Sequence, residues 1–120
     1  MRIKALLLSI ALATPTAALA EFTRIETSEQ FNDQVVGRVI TFSVGTTLIH
    51  ADGTTEGSLT KPQEVDYTGT WTWEDGFYCR NLVIDGDETG VICMQVEVDG
   101  NNLRLIRDKG EGRAYSATME

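Results

Sequence analysis

Hydrophobic and polar residues alternate along most of the chain with the two-residue period of a β-strand, and Asp-Gly pairs divide the alternating runs. An Asp-Gly pair between two such runs is the strongest short-range signal for a β-hairpin. The pairs are Asp52-Gly53, Asp75-Gly76, Asp85-Gly86 and Asp99-Gly100. Their spacing predicts an antiparallel meander from the β-branched run 39–44 to a strand near 114–119, with a loop at 61–63.

One segment before the meander has the pattern of a helix instead. Thr27-x-x-Gln30 fits a capping box, in which each residue satisfies a backbone N–H of the other. Phe31 and Val35 follow at a spacing of four and share one helical face. Gly37 suits the position just after a helix. The sequence therefore predicts a short helix over about 28–36 that covers one end of the sheet.

The turn at Asp75-Gly76 fixes the register of the strands around both tryptophans. A two-residue turn there places Trp73 opposite Tyr78 on the next strand. It also places Trp71 opposite Arg80. These pairings put the four side chains on one face of the predicted sheet.

The next turn brings the two cysteines together. A short turn at 85–87 pairs Ile84 with Glu88, and further along it places Cys79 opposite Cys93. A disulfide requires two Cβ atoms near 4 Å apart, which directly opposed residues satisfy. The register therefore predicts a Cys79–Cys93 disulfide.

A turn at Gly100-Asn101 extends the register and places Glu97 opposite Arg104, which predicts an ion pair. The whole register gathers apolar side chains on one face, which we expect to be the core: Trp71, Trp73, Tyr78, Leu82, Ile84, Ile92, Met94, Val96, Val98, Leu103 and Leu105. The opposite face is polar and carries the disulfide. We predict a mostly β fold, a small antiparallel meander barrel or curved sheet with one short N-terminal helix.

Two arginines fall on the apolar face. Arg80 projects beside Trp71 and Ile92, and Arg107 lies opposite Met94. A buried guanidinium requires a partner or an exit to water. In one interpretation Arg80 stacks on Trp71 or pairs with a structural carboxylate. In the other, an aromatic pocket places Arg80 against an anionic group of a ligand.

The first twenty residues have the pattern of a secretory signal peptide. Arg2 and Lys4 precede an apolar run that is too short to span a bilayer, and Ala18-Leu19-Ala20 forms a small-x-small cleavage site. We therefore predict a signal peptide over 1–20, a single β-rich domain over 21–120, and no membrane span once the signal is removed. A periplasmic or secreted location also fits the predicted disulfide.

Charge and residue types narrow the range of functions. Removing Arg2 and Lys4 takes the net charge from −8 to −10, and such an acidic chain repels phosphate backbones, so we expect no nucleic-acid partner. His50 is the only histidine, and no nucleophile–base set or metal-ligand spacing accompanies it. The segment 85–90 begins like a calcium loop but has Val96 at the twelfth position. We expect no metal and no cofactor, and an enzyme is the weaker hypothesis.

The motif Gly69-Thr70-Trp71-Thr72-Trp73, followed by Asp75-Gly76, Tyr78-Cys79-Arg80 and Cys93, resembles short exported proteins of Gram-negative bacteria. Some of those sequences carry the label of dihydrodipicolinate reductase, although this chain lacks the nucleotide-binding glycine motif and the βαβ pattern of such an enzyme. Gly69-Thr70-Trp71 also resembles the Gly-x-Trp signature of lipocalins. That resemblance implies a small calycin-like barrel.

These features predict a non-catalytic binding module for a small amphipathic or anionic ligand that contacts Trp71, Trp73, Tyr78 and Arg80. The alternative is a protein-interaction or inhibitor module of the periplasm that uses an exposed loop such as 57–63. A third and remote alternative is an enzyme of unrecognised type. The expected partner is accordingly a small molecule or a periplasmic protein.

Overall fold

The computed structural model describes residues 21–120; the predicted signal peptide over 1–20 lies outside the described residues. The described chain contains one α-helix, one 3-10 turn at Asp108–Gly110 and nine strands. The helix is α1 (Ser28–Gln34). The strands are β1 (Thr23–Arg24), β2 (Val39–Phe42), β3 (Gly45–Ile49), β4 (Thr54–Leu59), β5 (Val65–Glu74), β6 (Phe77–Ile84), β7 (Asp87–Asp99), β8 (Asn102–Ile106) and β9 (Ala114–Met119).

Strands β2 to β9 form a closed antiparallel barrel. Each pairs with the next along the chain, and β9 returns to pair with β2. The short strand β1 lies outside this ring and pairs with β7 at Val98 and Glu97. Full closure leaves few unpaired strand edges, as in up-and-down barrels. The predicted mostly β meander is confirmed, and of its two forms the barrel is the one adopted.

The predicted helix and its capping box are confirmed. The Thr27 hydroxyl accepts a hydrogen bond from the Gln30 backbone N–H at 3.2 Å, and the Gln30 side-chain oxygen accepts one from the Thr27 N–H at 3.3 Å. The helix ends at Gln34, two residues before the predicted end. The reason is that the N–H groups of Val35 and Val36 both donate to the Phe31 carbonyl, so the last turn widens and stops.

The predicted register of β5 and β6 is confirmed, with Trp73 opposite Tyr78 and Trp71 opposite Arg80. The predicted pairs of β7 with β8 are also confirmed, and the Arg104 Nε lies 2.7 Å from a Glu97 carboxylate oxygen.

One predicted pairing is wrong. Ile84 pairs with Asp87, not with Glu88, because the Asp85-Gly86 turn has two residues rather than three. The predicted pairs further along nevertheless form, because a bulge between Asn81 and Val83 shifts the register back by one residue.

The Cys79–Cys93 disulfide is present, with the two Cα atoms 4.0 Å apart on neighbouring strands. The disulfide links β6 to β7. The next pair of opposed residues on these two strands is Arg80 and Ile92. Cys79 is only 3% exposed, so this part of the outer face is more covered than the sequence predicted.

The helix closes one end of the barrel. Phe31 is fully buried, and its ring centroid lies 5.3 Å from that of Trp71, 5.0 Å from that of Trp73 and 5.2 Å from that of Tyr78. Gly37 then ties the helix to β3, since its N–H donates to the Ile49 carbonyl at 2.8 Å. No helix within 21–120 has the length and apolar character needed to cross a membrane.

The predicted core residues lie inside the barrel. Seven of them are buried: Tyr78, Leu82, Met94, Val96, Val98, Leu103 and Leu105. Trp71, Trp73 and Ile92 are half-buried and pack against the same cluster. The remaining one, Ile84, lies nearer to the other end of the barrel, which the helix does not cover.

Candidate functional site

A cavity of about 270 Å³ occupies the barrel interior at the end away from α1. Val44, in the exposed turn between β2 and β3, lines it, as do Leu59 at the end of β4 and Ile84 at the end of β6. Val44 is 41% exposed, so the cavity is open to solvent at this end. We call this open end the mouth. The cavity is thus a pocket with one closed and one open end.

The lining residues are divided equally between apolar and polar side chains. The apolar members are Phe42, Val44, Ile49, Leu59, Leu82, Ile84, Met94 and Leu105. The polar members are three threonines (Thr47, Thr55, Thr89), three tyrosines (Tyr67, Tyr78, Tyr115) and two arginines (Arg80, Arg107). No aspartate or glutamate among the described residues lines the cavity. The tyrosine rings and the arginine methylene groups add apolar surface, and apolar surface with convergent polar groups is the composition of a ligand site.

Arg80 reaches the cavity from the middle of β6. It follows Tyr78 and precedes Leu82 on the inward face of the strand, and both of these neighbours are buried. The ion pairs found within 21–120 do not include Arg80. Its Nη1 atom is buried and has no hydrogen-bond partner among residues 21–120.

Arg107 enters the same cavity from the residue after β8. Its Nε atom is also buried without a hydrogen-bond partner. Its guanidinium carbon lies 5.6 Å from the centroid of the Tyr115 ring, which provides a cation–π contact. The barrel therefore holds two guanidinium groups with unsatisfied N–H donors.

The surroundings disfavour the charge on Arg80. Burial lowers the pKa of Arg80, and the nearby positive charge of Arg107 lowers it further, while the phenol oxygen of Tyr78 opposes the shift. Arginine nevertheless stays protonated in proteins. An anion placed between the two groups would relieve both the desolvation and the mutual repulsion.

The hydroxyls of Tyr67 and Tyr78 are neutral at physiological pH. Burial raises the pKa of Tyr67 to about 12, and burial also raises the pKa of Tyr78. The Tyr67 hydroxyl donates to the Thr46 carbonyl at 2.9 Å and is hydrogen-bonded to the Thr47 hydroxyl. The Tyr67 side chain passes directly over Gly57, where any Cβ would clash with the phenol. A glycine at position 57 is therefore required for Tyr67 to adopt this position.

The four predicted ligand contacts separate into two groups. Tyr78 and Arg80 line the cavity, whereas Trp71 and Trp73 do not. The tryptophans belong to the end that α1 closes, where both pack on Phe31, and the Trp71 indole N–H donates to the His50 carbonyl at 2.8 Å. Within 21–120 no cation–π contact involves Arg80, so the predicted stacking on Trp71 is not found.

Sequence reasoning omitted several residues of the site. Arg107 had been placed on the correct face by its register but was not assigned to the pocket. Phe42, Thr47, Thr55 and Leu59 come from β2 to β4. No residue-by-residue register was predicted for these strands. The run 39–44 was predicted as one strand, whereas β2 ends at Phe42 and the turn at 43–44 carries no Asp-Gly signal.

The other candidate groups lie away from the cavity. The His50 Nε2 atom lies 3.3 Å from a carboxylate oxygen of the exposed Glu56. Glu74 lies near the sulfurs of Cys79 and Cys93, but both sulfurs are bonded to each other and are not free to bind a metal. Of the predicted interaction loop, 57–59 belongs to β4, and 60–63 is exposed beside the mouth.

No family model matches the chain, and no match is found among curated proteins or solved structures. The resemblances drawn from the sequence therefore stay predictions.

Proposed function

We propose that the protein is a non-catalytic binding module that holds a small anionic ligand inside the barrel. The observation that carries this proposal is the pair of inward guanidinium groups, Arg80 and Arg107, in a cavity without a carboxylate. Guanidinium groups are the side chains best suited to bind carboxylate, sulfate or phosphate oxygens through paired hydrogen bonds.

The energetics of the two guanidinium groups support the same conclusion. A buried N–H donor without a partner costs stability, and a buried charge without a counterion costs more. Both destabilising features occur together in this cavity, at Arg80 on β6 and at Arg107 just after β8. Unpaired buried polar groups that lower stability are common at functional sites, where residues are selected for a ligand rather than for stability.

The lining favours binding over catalysis. Among the described residues that line the cavity there is no carboxylate, imidazole or thiol to accept a proton near neutral pH. The pKa of Tyr67 is raised to about 12, which makes this phenol a poor base. Threonine, tyrosine and arginine together offer hydrogen-bond donors, and these suit an oxyanion.

The proposed compartment is the periplasm or the exterior of the cell. The Cys79–Cys93 disulfide supports it, because disulfides persist in oxidising compartments. A binding module there would carry or sequester its ligand outside the cytoplasm.

Two measurements test the proposal. Native mass spectrometry of the protein purified without detergent from its own source should show a non-covalent adduct that disappears on denaturation. Calorimetric titration with butanoate and benzoate should show binding to the wild type and at least tenfold weaker binding to Arg80→Gln, because one paired anion contact is lost.

The matched control is Arg104→Gln, which removes an arginine whose guanidinium is paired with Glu97 on the outer face. This variant should bind both anions as the wild type does. Equal binding by Arg80→Gln and wild type, or no binding of any anion to either, would contradict the proposed site. In that case a protein partner for the exposed segment 60–63 becomes the better hypothesis.

A further inference from the structure

The inward side chains of β6 change from aromatic and charged to apolar toward the mouth. Tyr78 touches the Phe31 ring at the closed end, and Arg80, Leu82 and Ile84 follow in that order. Inward residues on one strand are about 7 Å apart, because each residue advances the strand by 3.2–3.4 Å. Arg80 is thus the next inward residue after Tyr78 at the closed end. Leu82 and Ile84 lie between Arg80 and the mouth.

The neighbouring strands continue this gradient. On β4 the buried Thr55 lies deeper than Leu59, which ends the strand at the mouth. Phe42 and Val44 border the mouth from β2 and the turn after it. The cavity therefore has a charged, hydrogen-bonding floor and an apolar rim.

The size of the cavity limits the ligand. Its volume is about 270 Å³. This equals about nine water volumes of ~30 Å³ each, and a methylene group fills a similar space. A ligand of about eight to ten non-hydrogen atoms would fill the cavity, and a longer chain would leave through the mouth.

The charge of the rest of the protein limits the ligand further. Residues 21–120 carry all 18 acidic residues and have a net charge of −10 once Arg2 and Lys4 are excluded. The negative exterior repels anions in proportion to their charge. A ligand with a single compact anionic group suffers least from this repulsion while still satisfying Arg80 and Arg107.

From these features we infer that the ligand is a single-chain amphiphile, a medium-length acyl or alkyl oxyanion that enters with its head group first. The head group contacts Arg80 and Arg107 on the cavity floor, and the chain lies along Leu82, Ile84 and Leu59 toward the mouth. This inference rests on the proposed anion site and adds the chemical class and the orientation of the ligand.

A chain-length series tests the class. Butanoate, hexanoate and octanoate are titrated into the wild-type protein, with octanol and octylammonium as uncharged and cationic controls. Affinity should rise about fourfold for each methylene added, because each newly buried methylene contributes a constant transfer free energy. Octanol should bind at least tenfold more weakly than octanoate, and octylammonium should not bind.

The outcomes separate this inference from the proposed function. A flat series whose affinity still falls in Arg80→Gln would overturn the amphiphile and leave the anion site standing. Absence of binding by every carboxylate would overturn both. Equal binding of octanol and octanoate would show an apolar pocket in which the arginines have no role, and it would also overturn both.

A variant at the rim tests the orientation. Leu59 is half-buried at the end of β4, so Leu59→Asn should fold. In this variant the gain per methylene should shrink at the octanoate end of the series, while butanoate affinity stays within twofold of wild type. Loss of butanoate affinity in Leu59→Asn would place the head group at the mouth and overturn the inferred orientation.

Fluorescence gives a second, independent test of orientation. The chain has two tryptophans, and both lie at the closed end. Bromine quenches indole fluorescence only at short range, so 2-bromooctanoate should quench the wild-type protein more strongly than 8-bromooctanoate. In Phe42→Trp, which adds an indole at the mouth, 8-bromooctanoate should cause the larger additional quenching. The reverse order in both proteins would show that the chain enters first.

Discussion

Arg80 and Trp71 lie directly opposite each other on β6 and β5, and both side chains point into the barrel, yet they have different surroundings. The Trp71 indole packs on Phe31 and donates its N–H to the His50 carbonyl at 2.8 Å. The Arg80 guanidinium faces the cavity, and its buried Nη1 has no partner. One side chain therefore completes the closed end of the fold, and the other lines the cavity.

The first prediction concerns the stability of Arg80→Met in the absence of ligand. Methionine replaces the aliphatic part of the arginine side chain and removes an unpaired charge from the cavity. Replacing buried charges by apolar residues of similar volume is often neutral or stabilising. We expect the free energy of unfolding in urea to stay unchanged or to rise by up to about 2 kcal/mol.

Arg104→Met provides the comparison for this measurement. Arg104 is paired with Glu97 and lies over the Phe22 ring, with its guanidinium carbon 4.2 Å from the ring centroid. Removing these half-exposed contacts should lower the free energy of unfolding by up to about 1 kcal/mol. A loss of more than about 1 kcal/mol in Arg80→Met itself would show that Arg80 has a structural role.

The second prediction concerns the helix that closes the barrel. Phe31 is fully buried against the rings of Trp71, Trp73 and Tyr78. Phe31→Ala leaves a cavity beneath α1, and buried Phe-to-Ala changes lower the free energy of unfolding by about 3–5 kcal/mol. Urea denaturation followed by tryptophan fluorescence measures this loss directly.

Phe77→Ala is the matched control, because Phe77 lies on the outer side of β6 beneath the guanidinium of Arg24, 5.0 Å away. Its ring is half-exposed, so the loss should be less than half of that in Phe31→Ala. Equal losses in the two variants would mean that α1 does not support the core.

Much of this closed end could be predicted from the sequence, because its signals are local. The capping box at Thr27 and Gln30 and the Asp-Gly turns each depend on a few adjacent residues. Strand alternation then carried the register from the Asp75-Gly76 turn to Cys79, and the assumed turn at 85–87 extended it to Cys93. The wrong turn length at 85–87 was compensated by a bulge, which leaves no signal in the residue pattern.

The cavity was harder to predict for a physical reason. An inward side chain that packs in the closed end and one that lines the cavity show the same alternation along their strands, as Trp71 and Arg80 do. Which of them packs against other side chains and which lines the cavity depends on where α1 ends and how the barrel closes. Both depend on contacts between residues far apart in sequence, such as the pairing of β2 with β9.

The third prediction concerns the disulfide. The Cys79–Cys93 bridge closes a loop with a sequence separation of 14. The chain-entropy model assigns about 3 kcal/mol of stability to a loop of this size. Replacing both cysteines by alanine should lower the free energy of unfolding, extrapolated to zero urea, by about that amount.

Because the bridge lies beside Arg80 on β6, the double alanine variant also tests how firmly that residue is held. We expect benzoate affinity to fall less than tenfold, since the Arg80–Ile92 backbone pairing remains. Loss of binding as complete as in Arg80→Gln would show that the bridge positions the guanidinium.

The last prediction concerns the alkaline stability of the protein. Burial raises the pKa of Tyr67 from 10.0 to about 12, whereas in the unfolded chain the phenol titrates near its ordinary value. Below pH 10 this contribution to stability is fully present. Between about pH 10 and 12 the unfolded chain loses the proton while the folded chain keeps it, so stability falls as pH rises. The expected slope for one such group is up to about 1.4 kcal/mol per pH unit.

Tyr67→Phe isolates this contribution. The variant should lose about 1 kcal/mol at pH 8, because the hydroxyl no longer donates to the Thr46 carbonyl. Its free energy of unfolding should then decline less steeply than that of the wild type between pH 10 and 11.5, because phenylalanine does not titrate. The slope does not vanish, since burial also raises the pKa of Tyr78 in the same direction. Parallel pH curves for the two proteins would show that the Tyr67 phenol titrates alike in the folded and unfolded chain. The Tyr67 hydroxyl would then be exposed to solvent rather than buried.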